Sequence, residues 1–407
     1  MCPIELIGIA GEELTEERRG LLASCVLVAH AKRQAAMLEG VTARRIPVTP
    51  IESLCTAIEA VLPRSVAVLA SGDPLFFGIG RRLIERFGPE AVRVHPALSA
   101  LQLACARFKS PWDDLDILSL HGSEADLPTA VRRLLARCCR LGRVLCLTDP
   151  RHSPDALART LARLLEDCAD HGRLAACRLQ VAENLGLSGE KISAGTLNDM
   201  AGRSFSPLNV LLLSLPKALC AAPRFGLTAA EIRHSRGLIT KDAVRAASLH
   251  SLRLPERGVL WDIGGGSGSV SLEAAALAPG LLIGIIEKNP EEQANIRANI
   301  RTFGAYNIRL VDGEAPAALA ALPPPDRVFI GGSGGRLAAI LEASVARLAE
   351  DGRIVVNAVL EKTRQEACAV LAKLGFTVTA STLSVTHSGP EQKAQSLNPI
   401  TIITGTK

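Results

Sequence analysis

The chain has 407 residues, 48% hydrophobic, 21% charged and only 3% aromatic, with a net charge of +5. That length predicts two or three domains. A single tyrosine (Tyr306) and the lack of a long basic run argue against a base-stacking nucleic-acid reader, and the mild, Arg-rich positive excess suits small acidic ligands.

Residues 1–215 alternate short apolar strands with amphipathic helices, the rhythm of a mostly parallel sheet. Strands are predicted over Ile4–Ala10, Cys25–His30, Ser65–Ala70, Val92–His95, Asp116–Leu120, Arg143–Thr148, Leu174–Val181 and Leu208–Leu215. Helices are predicted over Leu75–Phe87, Ser99–Phe108 and Leu127–Cys139. Pro111-Trp112 interrupts the pattern, so this half reads as two α/β lobes meeting near residue 112. Residues 216–226, with two prolines and no clear period, read as a linker. From residue 227 to 407 the rhythm restarts, with strands over Gly258–Ile263, Leu281–Ile286, Asn307–Val311, Asp326–Ile330 and Gly352–Val356. Thr377–Ser384 and Ile400–Gly405 follow with no helix between them, which predicts an antiparallel hairpin closing an otherwise parallel sheet.

The 11 cysteines contain no C-x-x-C spacing, so they read as small buried hydrophobes and no metal site is expected. Glu5 interrupts the N-terminal apolar stretch and no basic segment precedes it, and no apolar run approaches the roughly 20 residues of a membrane helix. A cytoplasmic protein with no membrane and no nucleic-acid partner is expected.

The stretch from Val259 to Glu273 runs an apolar strand into Asp262, then Gly264, Gly265, Gly266, Ser267 and Gly268, then a helix. Glycines let the backbone turn sharply and approach a ligand, and the helix N-terminus adds free N–H groups. A dinucleotide fingerprint needs glycine at 269, where Ser269 stands. Asp before G-x-G-x-G is instead the pattern of S-adenosylmethionine (SAM) methyltransferases, whose cofactor carries an ammonium that a nearby acid can accept. Glu287 ends the next strand, where an acid can bind both ribose hydroxyls. Asp312-Gly313-Glu314-Ala315 follows the third strand, where an adenine edge would lie, and a Gly-rich loop with Gly332 and Ser333 ends the fourth. Packing glycines could explain one such loop but not all four.

Gly237-Leu-Ile-Thr-Lys-Asp-Ala-Val-Arg245, the Trp261–Ala275 stretch and Phe329-Ile-Gly-Gly-Ser-Gly-Gly335 resemble the C15-methylating, decarboxylating enzymes of corrin biosynthesis. Their usual signature is TK-x-E-V-R, and Ala243 replaces its acid here. The resemblance implies that Thr240, the 264–268 loop, Glu287 and Ala315 surround SAM.

In the first half, Ser71-Gly-Asp-Pro-Leu-Phe-Phe-Gly78 ends a strand, and Pro74 reads as the start of a helix that Asp73 could merely cap. Its companions are Leu6-Ile-Gly-Ile-Ala-Gly11, Pro96-Ala-Leu-Ser-Ala-Leu-Gln102 and Ser119-Leu-His-Gly122. The set resembles the tetrapyrrole methylase family, in particular its C5-methylating members. Where that family reads GIGPG and PG-x-SS, this chain has Ala10-Gly11-Glu12 and, in the second motif, Ala97 and Ala100. The resemblance implies SAM in the cleft between the lobes, contacted by Gly8, Gly72, Asp73 and Ser99. His121 is the histidine inside a matched motif and is equally readable as substrate-facing or structural. The other seven, among them His95, His152 and His387, show no partner pattern and read as structural or exposed.

Together the two resemblances span nearly the whole chain, in the order of the fused C5,15-methylating family. They imply one SAM site per domain, a tetrapyrrole substrate and a homo-oligomer, dimer or tetramer. Because that substrate carries many carboxylates, Arg81, Arg82, Arg233, Arg236 and Arg245 are candidate contacts, with solvated surface charges as the plain alternative. Few conventional catalytic residues are expected, and the sequence identifies no nucleophile. A SAM methyltransferase of RNA or protein with an N-terminal adaptor, and a tetrapyrrole-delivery scaffold, stay open at this stage; Ser269 disfavours a nicotinamide oxidoreductase.

Overall fold

The computed structural model describes residues 3–237, 239–389 and 392–407, with the side chains of 387–395 excepted. Leu238 of the 237–245 motif and the His387 side chain therefore lie outside the described set. The protein is α/β throughout and divides into two compact units. One takes residues up to Glu124, Val144–Arg159 and Arg178–Leu213; the other takes Ala125–Arg143, Thr160–Cys177 and Ser214–Lys407.

The first unit carries two sheets. Strands β1 (Ile4–Ile9), β2 (Leu27–His30), β3 (Arg44–Pro47), β4 (Val66–Ser71) and β5 (Val92–His95) form a parallel sheet in the order β3-β2-β4-β1-β5. Its central strands are apolar on both sides because both faces are covered. Val66, Val68 and Ala70 pack into one core cluster, while Ala67 and Leu69 pack into another. Strands β6 (Asp116–Ser119), β7 (Arg143–Leu147), β8 (Arg178–Glu183), β9 (Lys191–Gly195) and β10 (Asn209–Ser214) form the second sheet, ordered β6-β7-β10-β8-β9.

The second unit is built on β11 (Arg257–Ile263), β12 (Gly280–Glu287), β13 (Ile308–Asp312), β14 (Arg327–Ile330), β15 (Arg353–Ala358), β16 (Thr377–Leu383) and, beyond a small hairpin of β17 (Thr386–Gly389) and β18 (Gln392–Ser396), β19 (Ile400–Thr406). The sheet order is β13-β12-β11-β14-β15-β19-β16, parallel up to β15 and antiparallel at β19 and β16. This is the Rossmann-like sheet with an antiparallel C-terminal hairpin. Sequence order reverses at β11, so the loops after β11 and β14 open a crevice at the strand carboxyl ends.

Several local expectations are corrected. The helix expected from Leu75 begins only at Gly80. Asp73 caps a turn, accepting the Leu75 N–H at 2.8 Å, and the Gly80 N–H bonds back to the Pro74 carbonyl at 3.0 Å, so this segment is a tight loop. Residues His171–Ala176 are helical under the Asp170 cap, which shortens the predicted Leu174–Val181 strand to begin at Arg178. The edge strands β3 and β9 escape sequence reading because their exposed faces carry no apolar alternation. The β17–β18 hairpin is likewise additional.

Candidate functional site

The second unit holds a cavity of about 690 Å³ at the carboxyl ends of its parallel strands, a volume suited to a nucleoside-sized ligand. Its floor is the loop after β11. Gly264 and Gly265 both donate to the Ile286 carbonyl, and Gly331 donates to the Ile263 carbonyl, so the loops after β11 and β14 are pinned side by side. Gly264 has φ +68°, and a Cβ there would sit 2.4 Å from the Gly332 carbonyl oxygen. Only glycine permits this turn and this approach.

Glu287 ties the loop to the neighbouring strand. One carboxylate oxygen accepts the Gly266 N–H at 2.9 Å, and the other accepts the N–H groups of Lys288 and Asn289. A carboxylate has lone pairs beyond these three, so it can still accept hydroxyls from the cavity. Thr240, Gly264, Gly265, Gly266, Ser267, Glu287, Gly313, Ala315, Gly332 and Ser333 all line the wall.

Other expected residues lie elsewhere. Asp262 is buried beneath the loop and off the wall, accepting the Ser271 hydroxyl at 2.6 Å. Burial, with the Glu287 charge nearby, pushes its carboxyl up to about 6. Gly268 is also off the wall; it begins the Ser269–Leu277 helix with φ +75° and packs against Ile285 and Ile296.

The expectation for Arg245 is overturned. Its side chain is wholly buried, ion-paired to Glu273 at 3.1 Å and to Asp242 at 3.1 Å, and donates to the carbonyls of Thr240 and Leu227. A guanidinium so occupied cannot reach a ligand. Arg236 is exposed off the wall and pairs with Glu291 at 2.8 Å. Wall residues the motifs did not single out include Lys241, Asn289, Glu292, Asn357 and Asn398. For Glu292 a signal existed: with Asn295 and Asn299 it forms one polar stripe at helical spacing on the Pro290–Phe303 helix.

The first unit holds a cavity of about 610 Å³, lined at the carboxyl ends of β1 and β4 by Ala10, Gly11, Gly72 and Asp73, and by His121, Thr148 and Asn209 from the second sheet's side. Gly8 lies behind this wall, where a Cβ would come within 2.6 Å of the Gly72 carbonyl oxygen. Ser99 is buried off the wall and spends its hydroxyl on a helix cap, accepting the Gln102 N–H at 3.2 Å while Gln102 Oε1 returns to the Ser99 N–H. Arg81 is exposed and off the wall; the arginine on it is Arg33, which donates to the Ser71 hydroxyl.

The loop bearing His121 is anchored from below by buried Asp149, which accepts the N–H groups of Gly122, Arg151 and His152 and sits 3.0 Å from His152 Nδ1. Burial opposes ionisation there, but the His152 backbone and ring, with the Gly122 amide, outweigh it and hold the carboxyl below its ordinary value. His152, and His95 at 2.6 Å from Glu5, thus have carboxylate partners that no sequence pattern announced.

Residues 7–201 match the tetrapyrrole (corrin/porphyrin) methylases, and residues 231–407 match the precorrin methyltransferase domain. Over 359 residues the chain is 36% identical to the precorrin-6Y C(5,15)-methyltransferase [decarboxylating] of a Sinorhizobium species, covering 86% of this chain and 82% of that one. The chain belongs to the precorrin-6Y C(5,15)-methyltransferase (decarboxylating) family. It is also 32% identical over 387 residues to the Mycobacterium tuberculosis protein of the same name, covering 91% of each. A solved structure described as precorrin-6y C5,15-methyltransferase from Geobacter metallireducens covers 45% of this chain and 97% of its own, at 43% identity and a TM-score of 0.44. The family is one of SAM-dependent methyltransferases.

Among the described residues, no group of His, Cys, Asp and Glu could hold a metal ion, and no helix is long and apolar enough to cross a membrane. Ala243, where related signatures carry an acid, is exposed on the first turn of the Asp242–Leu252 helix. Ala97, in place of the family's glycine, packs directly under Gly8.

Proposed function

We propose that this chain methylates a precorrin-6Y macrocycle at C5 and C15 and removes carbon dioxide from its C12 acetate side chain, as a step of cobalamin biosynthesis. The observation that carries the reading is the family match across both halves, joined to two separate cavities, one in each unit. Residues 1–215 form the C5-methylating domain, 216–226 a linker, and 227–407 the C15-methylating, decarboxylating domain in this reading. Each domain takes one SAM, and the chains assemble as a cytoplasmic dimer or tetramer; sedimentation of the full chain tests the assembly.

The second cavity fits a nucleoside cofactor. The Gly264–Gly332 approach leaves a cradle that any Cβ would fill, Glu287 has acceptor capacity to spare, and Gly313 and Ala315 offer backbone beside an adenine edge. In the first unit Gly72 and Asp73 would hold it, with Gly8 keeping the loops close. SAM, when bound, supplies an electrophilic methyl group on a sulfonium.

The macrocycle's meso carbons are nucleophilic through their conjugated pyrrole nitrogens, so the chain need supply no strong base. Its task is to hold carbon and methyl in line at roughly 3–3.5 Å with water excluded. Exposed apolar side chains suit the ring faces: Phe77 and Leu98 on the first cavity's wall, and Val359 on the second's. Arg33 and Lys241, each on a cavity wall, would meet ring carboxylates. In decarboxylation the breaking C–C bond's electron pair enters the conjugated ring and a proton returns to the side-chain carbon, leaving a methyl group.

The test is a mass spectrum of the macrocycle after incubation of the full chain with SAM and precorrin-6Y. Two added methyl groups and one lost carbon dioxide are expected. An unchanged macrocycle would overturn the proposal.

A further inference from the structure

Among the described residues, two side-chain atoms on the wall of the second unit's cavity are buried and have no hydrogen-bond partner, Ser267 Oγ and Glu292 Oε1. Ser267 is 1% exposed and Glu292 2%. Native proteins seldom leave such groups unpaired unless a ligand or water completes them, and an unpaired carboxylate oxygen is the costlier of the two.

The surroundings hold both residues still. Asn299 Nδ2 donates to the Ser267 carbonyl at 3.0 Å and to the Arg233 carbonyl at 2.9 Å, and its Oδ1 accepts the Arg233 N–H. The Pro290–Phe303 helix is thereby clamped against both the Gly-rich loop and residues 233–235. One turn earlier, Asn295 bonds the Ser235 hydroxyl at 2.8 Å and the second Glu292 oxygen at 3.2 Å. On the other wall carboxylates both Glu287 oxygens already accept backbone amides, with capacity left only for further hydroxyls, and Glu314 is paired with Lys288 and Arg336. A buried carboxylate with one committed and one open oxygen, beside an open hydroxyl, matches a primary ammonium, which offers positive charge and three donors.

We propose that Glu292, with Ser267, is the subsite for the α-ammonium of the cofactor's amino-acid portion. The proposal rests on the SAM reading above. It assigns the ammonium to the helix after β12 rather than to Asp262, which lies off the wall beneath the loop.

The test uses hydrogen exchange of the full chain, read on the peptide spanning residues 262–272 so that this cavity reports alone. S-adenosylhomocysteine is titrated against 5′-methylthioadenosine, which keeps the nucleoside and thioether but lacks the amino-acid end. Glu292→Gln is expected to weaken S-adenosylhomocysteine at least tenfold and leave 5′-methylthioadenosine unchanged. Unaltered S-adenosylhomocysteine affinity in that variant, or equal weakening of both ligands, would overturn the assignment. A second arm needs no variant: the deaminated analogue of S-adenosylhomocysteine should bind the unmutated chain at least tenfold more weakly, and equal binding overturns the proposal. Absence of protection by either nucleoside in the unmutated chain would instead overturn the SAM reading of this cavity, and the subsite with it.

Discussion

The hydroxyl of Tyr306 donates to the buried carboxylate of Asp170. The same carboxylate oxygen accepts Arg173 at 2.5 Å, and Arg173 goes on to the carbonyls of Arg301 and Leu219 at 2.9 and 3.1 Å. Arg301 donates to the Cys168 carbonyl at 2.7 Å, and Arg132 to the Ile308 carbonyl at 2.9 Å. Through these bonds residues 125–143 and 160–177 are part of the same compact unit as the seven-stranded sheet.

Tyr306→Phe removes one donor from a buried carboxylate and should cost about 1–3 kcal/mol in unfolding of the full chain by denaturant. Burial raises the Asp170 carboxyl, but the Tyr306 and Arg173 bonds outweigh it and hold it below its ordinary value. A depressed carboxyl contributes stability above its unfolded pKa and loses it as pH falls through the folded one. The acid loss of stability from this group should therefore be smaller in Tyr306→Phe, and complete at higher pH, than in the unmutated chain.

Asp262 has the opposite sign. Its carboxyl rises from 3.8 to about 6 on folding, so its contribution is complete below the unfolded value and lost as pH climbs through about 6. That change corresponds to roughly 3 kcal/mol. Asp262→Asn should therefore gain on the unmutated chain between pH 4 and 7 in parallel denaturant titrations. Parallel curves across that range would show that Asp262 does not titrate there.

Arg245 and Glu273 are a buried pair whose members are both almost inaccessible. Arg245→Met leaves Glu273 charged and short of a partner, and should cost about 3–5 kcal/mol by equilibrium unfolding. The charge reversals Arg81→Glu and Arg236→Glu, at exposed sites, should each change stability by less than about 1 kcal/mol.

The two cavities should be separable by single methyl groups. Gly264→Ala forces a Cβ against the Gly332 carbonyl at a backbone angle alanine resists. Its product should carry one added methyl and retain the carboxyl group. Gly8→Ala, which pushes on the Gly72 carbonyl and the Ala97 backbone, should give one methyl with carbon dioxide lost. Mass spectra of the two products check both outcomes.

Much of this was legible along the chain. The near-continuous apolar runs at Val66–Ser71 and Gly280–Glu287 announce strands covered on both faces, and the glycines after Ile263 announce a turn that only a residue without Cβ can make. The Gly237–Arg245, Trp261–Ala275 and Phe329–Gly335 stretches carried the resemblance that the family match upholds. Such features depend on the backbone and on periodicities within about ten residues, so a local reading reaches them. Which polar groups remain free did not follow from any local pattern. Arg245 is consumed by Glu273 and Ser99 by Gln102, whereas Glu292 keeps an open oxygen on the cavity wall. The assignment of residues 125–143 and 160–177 to the second unit was equally invisible, because Tyr306 and Asp170 meet 136 residues apart. The sequence by itself determined the covered strands, the glycine turns and the family; only the tertiary structure decided which side chains were already spent, because a donor's partner is set by packing between distant segments.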